Sequence, residues 1–480
     1  MRYYTYIYFL IIMHWANCAR SQNIDVQVRH IGGEGNERGE GVMVHDNGNI
    51  FMVGTTGGAG TGNSDILLTC LSESLACEWS NAYGGANTDN GLDLVECPNG
   101  DVIVVGFTNE EGDYDGRIIR VNSSGSIIWD KIVGAEGWNF IHRIVVHPNG
   151  GFLCIGESSE NILTGPDGWL IWIDEDGNVL QNVQYGGEGY DTLNDIQLSS
   201  DEFIFLTGTT EDQTIEGLNH LWVIKLNLNL EFIWEFKRED LLSTEGISLN
   251  VHDDLIQVGG NYFDNHVLPI LCNIGNEGTE LSTIFSDINA DYYLNEIADL
   301  GFGFLLLGNQ SAYGLGSDDA MIQQWAYPGS WMVGPTFGTP WTDELNCIFE
   351  DQDTGLYFAG TSFSETNEHD ENVMLVYWPA DSLQSQFTIE TLNINCSPTF
   401  QVSIEELKPQ YTYTWINNEL RVLFTEGIGS LDLFDLNGKC VYHDSQYQSG
   451  QGIRMNESSG IFLARIVSEK NSIQFKVFAR

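Results

Sequence analysis

Six polar side chains recur at one offset and have the strongest claim to chemistry in this chain. Five residues on from Gly32, Gly84, Gly134, Gly186, Ser286 and Gly338 stand Glu37, Asp89, Asn139, Asp191, Asp291 and Asp343, while the fifth unit of the series has Leu242 in that place. Oxygen ligands at equal spacing converge if the units carrying them close into a ring, and converging carboxylates suit a hard cation, Ca²⁺ first. The plainer expectation is that each Asp accepts backbone N–H groups within its own turn; neither reading requires a cofactor. Trp138, Tyr190 and Trp341 fall just before or beside the same positions. Aromatic faces among polar neighbours form platforms for a sugar ring or a peptide, or else they pack loops.

The remaining motifs are weaker. Asp174 to Asn178 and Asp351 to Gly355 resemble the start of calcium loops, but neither has the distal Glu at EF-hand spacing, so both read as turns. Asp65, Asp115, Asp167 and Asp319 recur ahead of apolar strands as capping residues would. There is no G-x-S-x-G, H-E-x-x-H, P-loop or dinucleotide fingerprint. His45, His147 and His252 recur at turns, as solvated histidines do. Among 68 Asp and Glu no single pair stands out at a glycosidase distance. The expectation is a non-catalytic binding module, with a glycan-active enzyme as the alternative.

What positions these residues is a repeat. A strand ending in an apolar residue or Thr followed by glycine occurs seven times, at Gly54, Gly106, Gly156, Gly208, Gly259, Gly308 and Gly360, spaced 52, 50, 52, 51, 49 and 52 residues apart. Turns such as Asn47-Gly48, Asn99-Gly100 and Asn149-Gly150 precede the glycine, with the chemistry of tight hairpins. Apolar strands follow it, and a further strand opens with Trp79, Trp129 or Trp234, read as packing between units. Four short strands in about 50 residues make one blade of a β-propeller. Seven units make an all-β, seven-bladed propeller over residues 22–380. Residues 26–33 match only the last strand of a unit and the seventh unit stops after its third strand, so the N-terminal strand is expected to close the ring and remove its open edge.

Composition sets the surroundings. Against 68 acidic residues stand 19 Lys and Arg, a net charge of −49. Nucleic acid is excluded as a partner, since phosphates need clustered cations. Residues 1–21 read as an export signal: Arg2, an apolar and aromatic run to Met13 that is too short to span a bilayer, then Ala19 and Ser21 before a cleavage that leaves Gln22 first. Cys18 lacks the small residue directly before it that lipid attachment uses. No later stretch is apolar over a membrane length. In an exported chain disulfides are permitted, and Cys70 with Cys77, flanking a hairpin turn, is the pair expected; Cys154, in an apolar string, reads as a buried thiol.

Residues 22–396 carry 9 Lys and Arg against 59 acids, whereas 397–480 carry 8 against 9. A connecting segment at 381–409 and a small Ig-like β-sandwich at 410–480 are therefore expected. Phe434-Asp435-Leu436-Asn437-Gly438-Lys439, followed by Gly460-Ile461-Phe462, resembles the type A C-terminal sorting domain of the type IX secretion system of Bacteroidota. The Pro-Asn-Pro motif often found where such domains begin is missing. The resemblance implies delivery by the type IX machinery to the cell surface or the medium, with Phe434, Asp435, Gly438, Lys439, Gly460 and Ile461 as the sorting motif. The repeats are similar to the SBBP-like propeller repeats of secreted bacterial proteins. That likeness speaks to fold and leaves the partner, an extracellular glycan or protein, undefined.

Overall fold

Short runs of apolar residues punctuated by Asn-Gly and Asp-Gly turns become strands in the computed structural model of the chain. It describes residues 24–379, apart from 33–34, 61–62, 110–112, 135, 160–164, 212–213, 216, 240, 253–254, 286–290, 300–302, 311–318, 327–329, 333–335, 338–341, 352–353 and 365–366, together with 387–395 and the strands between 411 and 479. Seven antiparallel sheets follow one another. Their inner strands are Glu37–Val44, Asp89–Glu96, Trp138–Val146, Asp191–Leu198, Thr244–His252, Tyr292–Asp299 and Asp343–Asp351. Apolar clusters lie between neighbouring blades, including one that joins Ile31, Leu375 and Ala359 of blade 7 to Val42, Met52 and Leu67 of blade 1. The ring is therefore closed by burial as well as by pairing, and the chain is a seven-bladed β-propeller.

The closure is the one expected. Ile24–Gly32 lies antiparallel to the third strand of blade 7, with Val28 opposite Val376 and Ile31 opposite Val373. A fifth strand, Phe387–Asn395, runs parallel on its other side, so part of the segment read as a connector is built into the blade. Beyond it the backbone forms a three-stranded sheet over 411–454 and a four-stranded sheet over 428–479. No helix among the described residues is long and apolar enough to cross a membrane.

The repeated glycine has a steric cause. In every blade the inner strand carries one extra residue, at 40, 92, 142, 194, 247, 295 and 346, opposite the middle of the second strand. Beside this bulge the inner backbone closes on its neighbour. A Cβ at Gly54, Gly106, Gly156, Gly208, Gly260, Gly308 or Gly360 would stand no more than 2.0 Å from the carbonyl oxygen of the residue two before the bulge. In blade 5 the constrained residue is thus Gly260, one place after the glycine read from the repeat.

The inner strands are stitched around the ring by side chains. Asp93 accepts the Ile144 N–H (2.9 Å), Asp195 that of Leu249 (2.8 Å), Ser248 that of Ile297 (3.3 Å), Glu296 that of Ile348 (3.0 Å) and the Cys347 sulfur that of Val42 (3.2 Å). Each link joins one blade to the next. Bulge residues make a second tier: Asn194, Asn295 and Asn346 donate to the carbonyls of Gly246, Leu345 and Gly39.

Outside, Trp79, Trp129 and Trp234 donate their indole N–H to Ser123, Glu175 and Asn276 of the following blade. Each lies against the left-handed turn glycine there, Gly125, Gly177 or Gly278. Blade 3 has Gln181 where blades 1, 2 and 4 have Trp, and the next turn has Leu230, buried at φ 64°, instead of glycine. Leu230 joins the apolar cluster of that junction, with Trp172 and Val183 packed against it, and the apolar burial offsets the backbone cost of a left-handed side chain.

Two expectations are corrected. His45 and His147 are buried, not solvated: Nε2 donates to the Gly100 or Leu228 carbonyl of the next blade while Nδ1 accepts the Asn47 or Asn149 N–H. Only His252 stays exposed, paired with Asp299 at 2.8 Å. The Cys70–Cys77 disulfide is not formed. Cys70 is a free thiol opposite Trp79, whereas Cys77 lies opposite Leu71 and is disulfide-bonded, so not to Cys70. Along a strand alternate side chains take opposite faces, and the irregularity between Cys70 and Leu71 does not bring the two sulfurs together. Cys154 is a buried free thiol, as read.

Candidate functional site

The recurrent polar positions open the inner strands, at the end of the ring where one blade passes to the next. Glu37, Asp89, Asn139, Asp191 and Asp343 are all buried. They therefore do not form a carboxylate ring on an open channel, which corrects the metal-ring reading. The reason is the strand's alternation: these side chains turn into the blade junctions, where Asp89 accepts the Gly85 N–H at 2.8 Å and Asp191 that of Gly187 at 2.9 Å. Cross-strand register gives the place in blade 5 to Thr244 and in blade 6 to Tyr292. Asp291 sits one residue outside, half exposed, accepting the Val267 N–H and facing His266 at 3.3 Å. No group of three or more acidic, His or Cys side chains among the described residues is arranged to hold a metal.

The residues just before and after these positions have the opposite facing. Trp138 is 47 % exposed and Tyr190 42 %, at equivalent positions of the adjacent blades 3 and 4. Tyr190 is held at both ends: its N–H donates to Glu211 (2.9 Å) and its hydroxyl to Glu157 (2.6 Å). Burial, with the Glu157 and Glu245 charges beside it, raises the Tyr190 phenol well above its ordinary range. Tyr293 of blade 6 is 48 % exposed, and Phe140 stacks edge-on against Phe107 at 4.8 Å. Trp341 lies outside the described residues. Phe140, Glu245 and Tyr293 were not singled out from the sequence; they stand one residue after the repeated position, a phase that a register-aligned repeat would show.

Four residues below that position the axis carries a charge cluster that sequence reasoning missed. Arg143 of blade 3 reaches Asp93 of blade 2 at 3.9 Å and Glu296 of blade 6 at 3.5 Å, so one guanidinium spans the channel. Asp195 of blade 4 adds its charge. Burial, opposed by Arg143, pushes Asp93 up to about 6 and Glu296 up to about 7, and raises Asp195. The surrounding carboxylates hold the Arg143 guanidinium charged against its own desolvation. Higher up, burial and the Glu344 charge push Glu40 up to about 7. The axis is a plug of three acids on one base, and the aromatic face lies above it.

No family model matches the chain, and no curated protein does. Among solved structures it is similar to the WD40 domain of Neurospora crassa Pan2 (11 % identity over 73 % of this chain and 91 % of that one, TM-score 0.44). It is similar also to the polysaccharide lyase Uly1 (8 %, 71 % and 90 %, TM-score 0.46) and to the β-propeller domain of the Trilobed protease from Pyrococcus furiosus (11 %, 75 % and 96 %, TM-score 0.42). These neighbours differ in function from one another.

Proposed function

We propose that the protein is an exported, non-catalytic propeller that binds an extracellular glycan or protein at the aromatic end of its channel. The observation that carries the reading is the pair Trp138 and Tyr190: large rings left about half exposed at equivalent positions of adjacent blades, one of them clamped by Glu157 and Glu211. Ordered, solvent-facing aromatics supply contact area with little entropy to lose on binding. The test is binding of the full mature chain to glycan and protein arrays, with Trp138→Ala and Tyr190→Ala beside it. Each substitution should weaken capture of the best ligand by about tenfold or more, the loss of one good aromatic contact; undiminished capture by both variants would place binding elsewhere.

Export rests on residues 1–21 and on the sorting-domain likeness. Phe434, Gly460 and Ile461 fall in paired strands of the C-terminal sheet, Phe434 opposite Leu463 and Ile461 opposite Phe478; Asp435, Gly438 and Lys439 lie outside the described residues. Delivery by the type IX machinery predicts a surface or medium form that begins at Gln22 and lacks about 80 C-terminal residues, the size of a small domain. Intact-mass measurement on fractionated native cells reads both ends, and a full-length mature form confined to the periplasm would refute the assignment.

A further inference from the structure

Strand register sets rings and carboxylates side by side at the aromatic end of blades 3 to 5. Trp138 and Phe140 are alternate residues of one inner strand and so share a face. Ser159 and Glu157 of the second strand stand directly opposite them, on that same face. Glu157 Oε2 accepts the Tyr190 hydroxyl of blade 4 at 2.6 Å, and Glu245 of blade 5 brings a second charge to the same phenol. The rings have support: the Trp138 backbone is bridged to Tyr114, and Tyr114 and Phe107 pack on Phe140 with ring centroids 5.4 and 4.8 Å away.

The two acids have no cation of their own. Among the described residues neither Glu157 nor Glu245 forms an ion pair with Lys or Arg. Lys237 and Arg238 of blade 4 are engaged elsewhere, by Glu235 at 3.4 Å and Glu280 at 2.6 Å. Of the seven inner-strand residues equivalent to Phe140 by register, one is basic, Arg38. Its Nε and Nη2 are both taken by Glu371, at 2.7 and 2.9 Å. Burial raises the Glu245 carboxyl above its ordinary range, as it does for a charge held without a counter-ion. The Tyr190 phenol occupies one Glu157 oxygen and leaves the other.

We propose that this face takes a Lys or Arg side chain of a protein partner, its charged head on Glu157 and Glu245 and its stem against the Trp138 and Tyr190 rings. Ring faces attract a cation through their quadrupole, and a partly desolvated carboxylate makes a strong, charge-assisted bond to it. A neutral sugar satisfies the rings but gives neither carboxylate a counter-charge. A protein segment is favoured over a lone amine because residues 22–396 carry 59 acids against 9 bases, and a field of that sign and extent draws in chains with several positive charges. The inference rests on the aromatic-face reading above and adds the chemistry of the ligand.

The experiment is fluorescence anisotropy of a labelled Gly-Ser peptide carrying several lysines, titrated with the full mature chain, beside its Nε-acetylated copy, a glucosamine oligosaccharide and a neutral glucan oligosaccharide. The lysine peptide should bind, and acetylation should weaken binding by about tenfold or more. Glu157→Gln and Glu245→Gln, each nearly isosteric, should weaken it to a similar degree, and so should Trp138→Ala and Tyr190→Ala. Asp176→Asn, at an exposed acid in the turn at the far end of blade 3, should leave binding unchanged, which separates this face from attraction by overall charge. Lysine-peptide binding untouched by both glutamate variants, or lowered equally by Asp176→Asn, would overturn the inference. Capture of either oligosaccharide, lost with Trp138→Ala and Tyr190→Ala while the lysine peptide stays unbound, would refute the basic partner and leave the aromatic face standing as a glycan site. Probes that ignore all four substitutions would sink both readings.

Discussion

Arg143→Ala should destabilise the propeller by about 3–5 kcal/mol at pH 7.5, the cost of leaving buried acids without their counter-charge. The guanidinium is the base that Asp93 and Glu296 contact, and all three side chains are less than one-fifth exposed. Removing it leaves Asp93, Asp195 and Glu296 on one axis. The penalty should shrink on acidification, because the acids can take up protons. In the wild type Asp93 titrates at about 6 and Glu296 at about 7, above unfolded values of about 4. Folded chains therefore hold protons that unfolded chains have released. The stability from these groups is complete below pH about 4 and is lost as pH rises through about 6 to 7. Denaturant midpoints of wild type and variant between pH 5 and 8 should diverge toward high pH; parallel curves would show that the cluster carries no net charge to the fold.

Deleting residues 24–32 should be nearly as damaging. The strand buries Val28 and Ile31, worth about 3–6 kcal/mol together as apolar side chains removed from water, against a total stability of about 5–15 kcal/mol for a typical domain. It also bonds to neighbours on both sides. The next strand could take its place, because Phe387–Asn395 runs in the same direction and sets Ile389 and Ile394 opposite Val26 and Ile31. Ile389→Asp with Ile394→Asp in the same truncated protein denies that substitution. The combined variant should lose its cooperative unfolding transition, and a synthetic peptide of residues 22–33 should restore it. A wild-type Tm in the combined variant would refute closure by the N-terminal strand.

The architecture was legible because its causes are local and repeat seven times. A glycine forced by the close approach of an inner-strand carbonyl, an Asn-Gly turn and a tryptophan over the next blade's turn each leave a mark at fixed spacing, and counting the marks gives the blades. Closure was legible for the same reason, a strand missing at one end and surplus at the other. In blade 5 counting slipped by one, since Gly259 and Gly260 are adjacent and only backbone register separates them. The disulfide failed because flanking a turn does not settle which face each sulfur takes.

The sequence by itself determined the number of blades and the strand that closes them. Tertiary structure alone decided which acids face the axis and which are buried at junctions. Asp89 and Asp191 look alike in sequence to Asp93 and Asp195 four residues on, and a bulge between each pair changes where their side chains point. It also decided the counter-charges: Arg117 reaches Asp89 within its own blade, and Arg143 crosses the ring from blade 3 to blade 6. Such pairings depend on distances across the ring, and a repeat of about 50 residues carries no record of them.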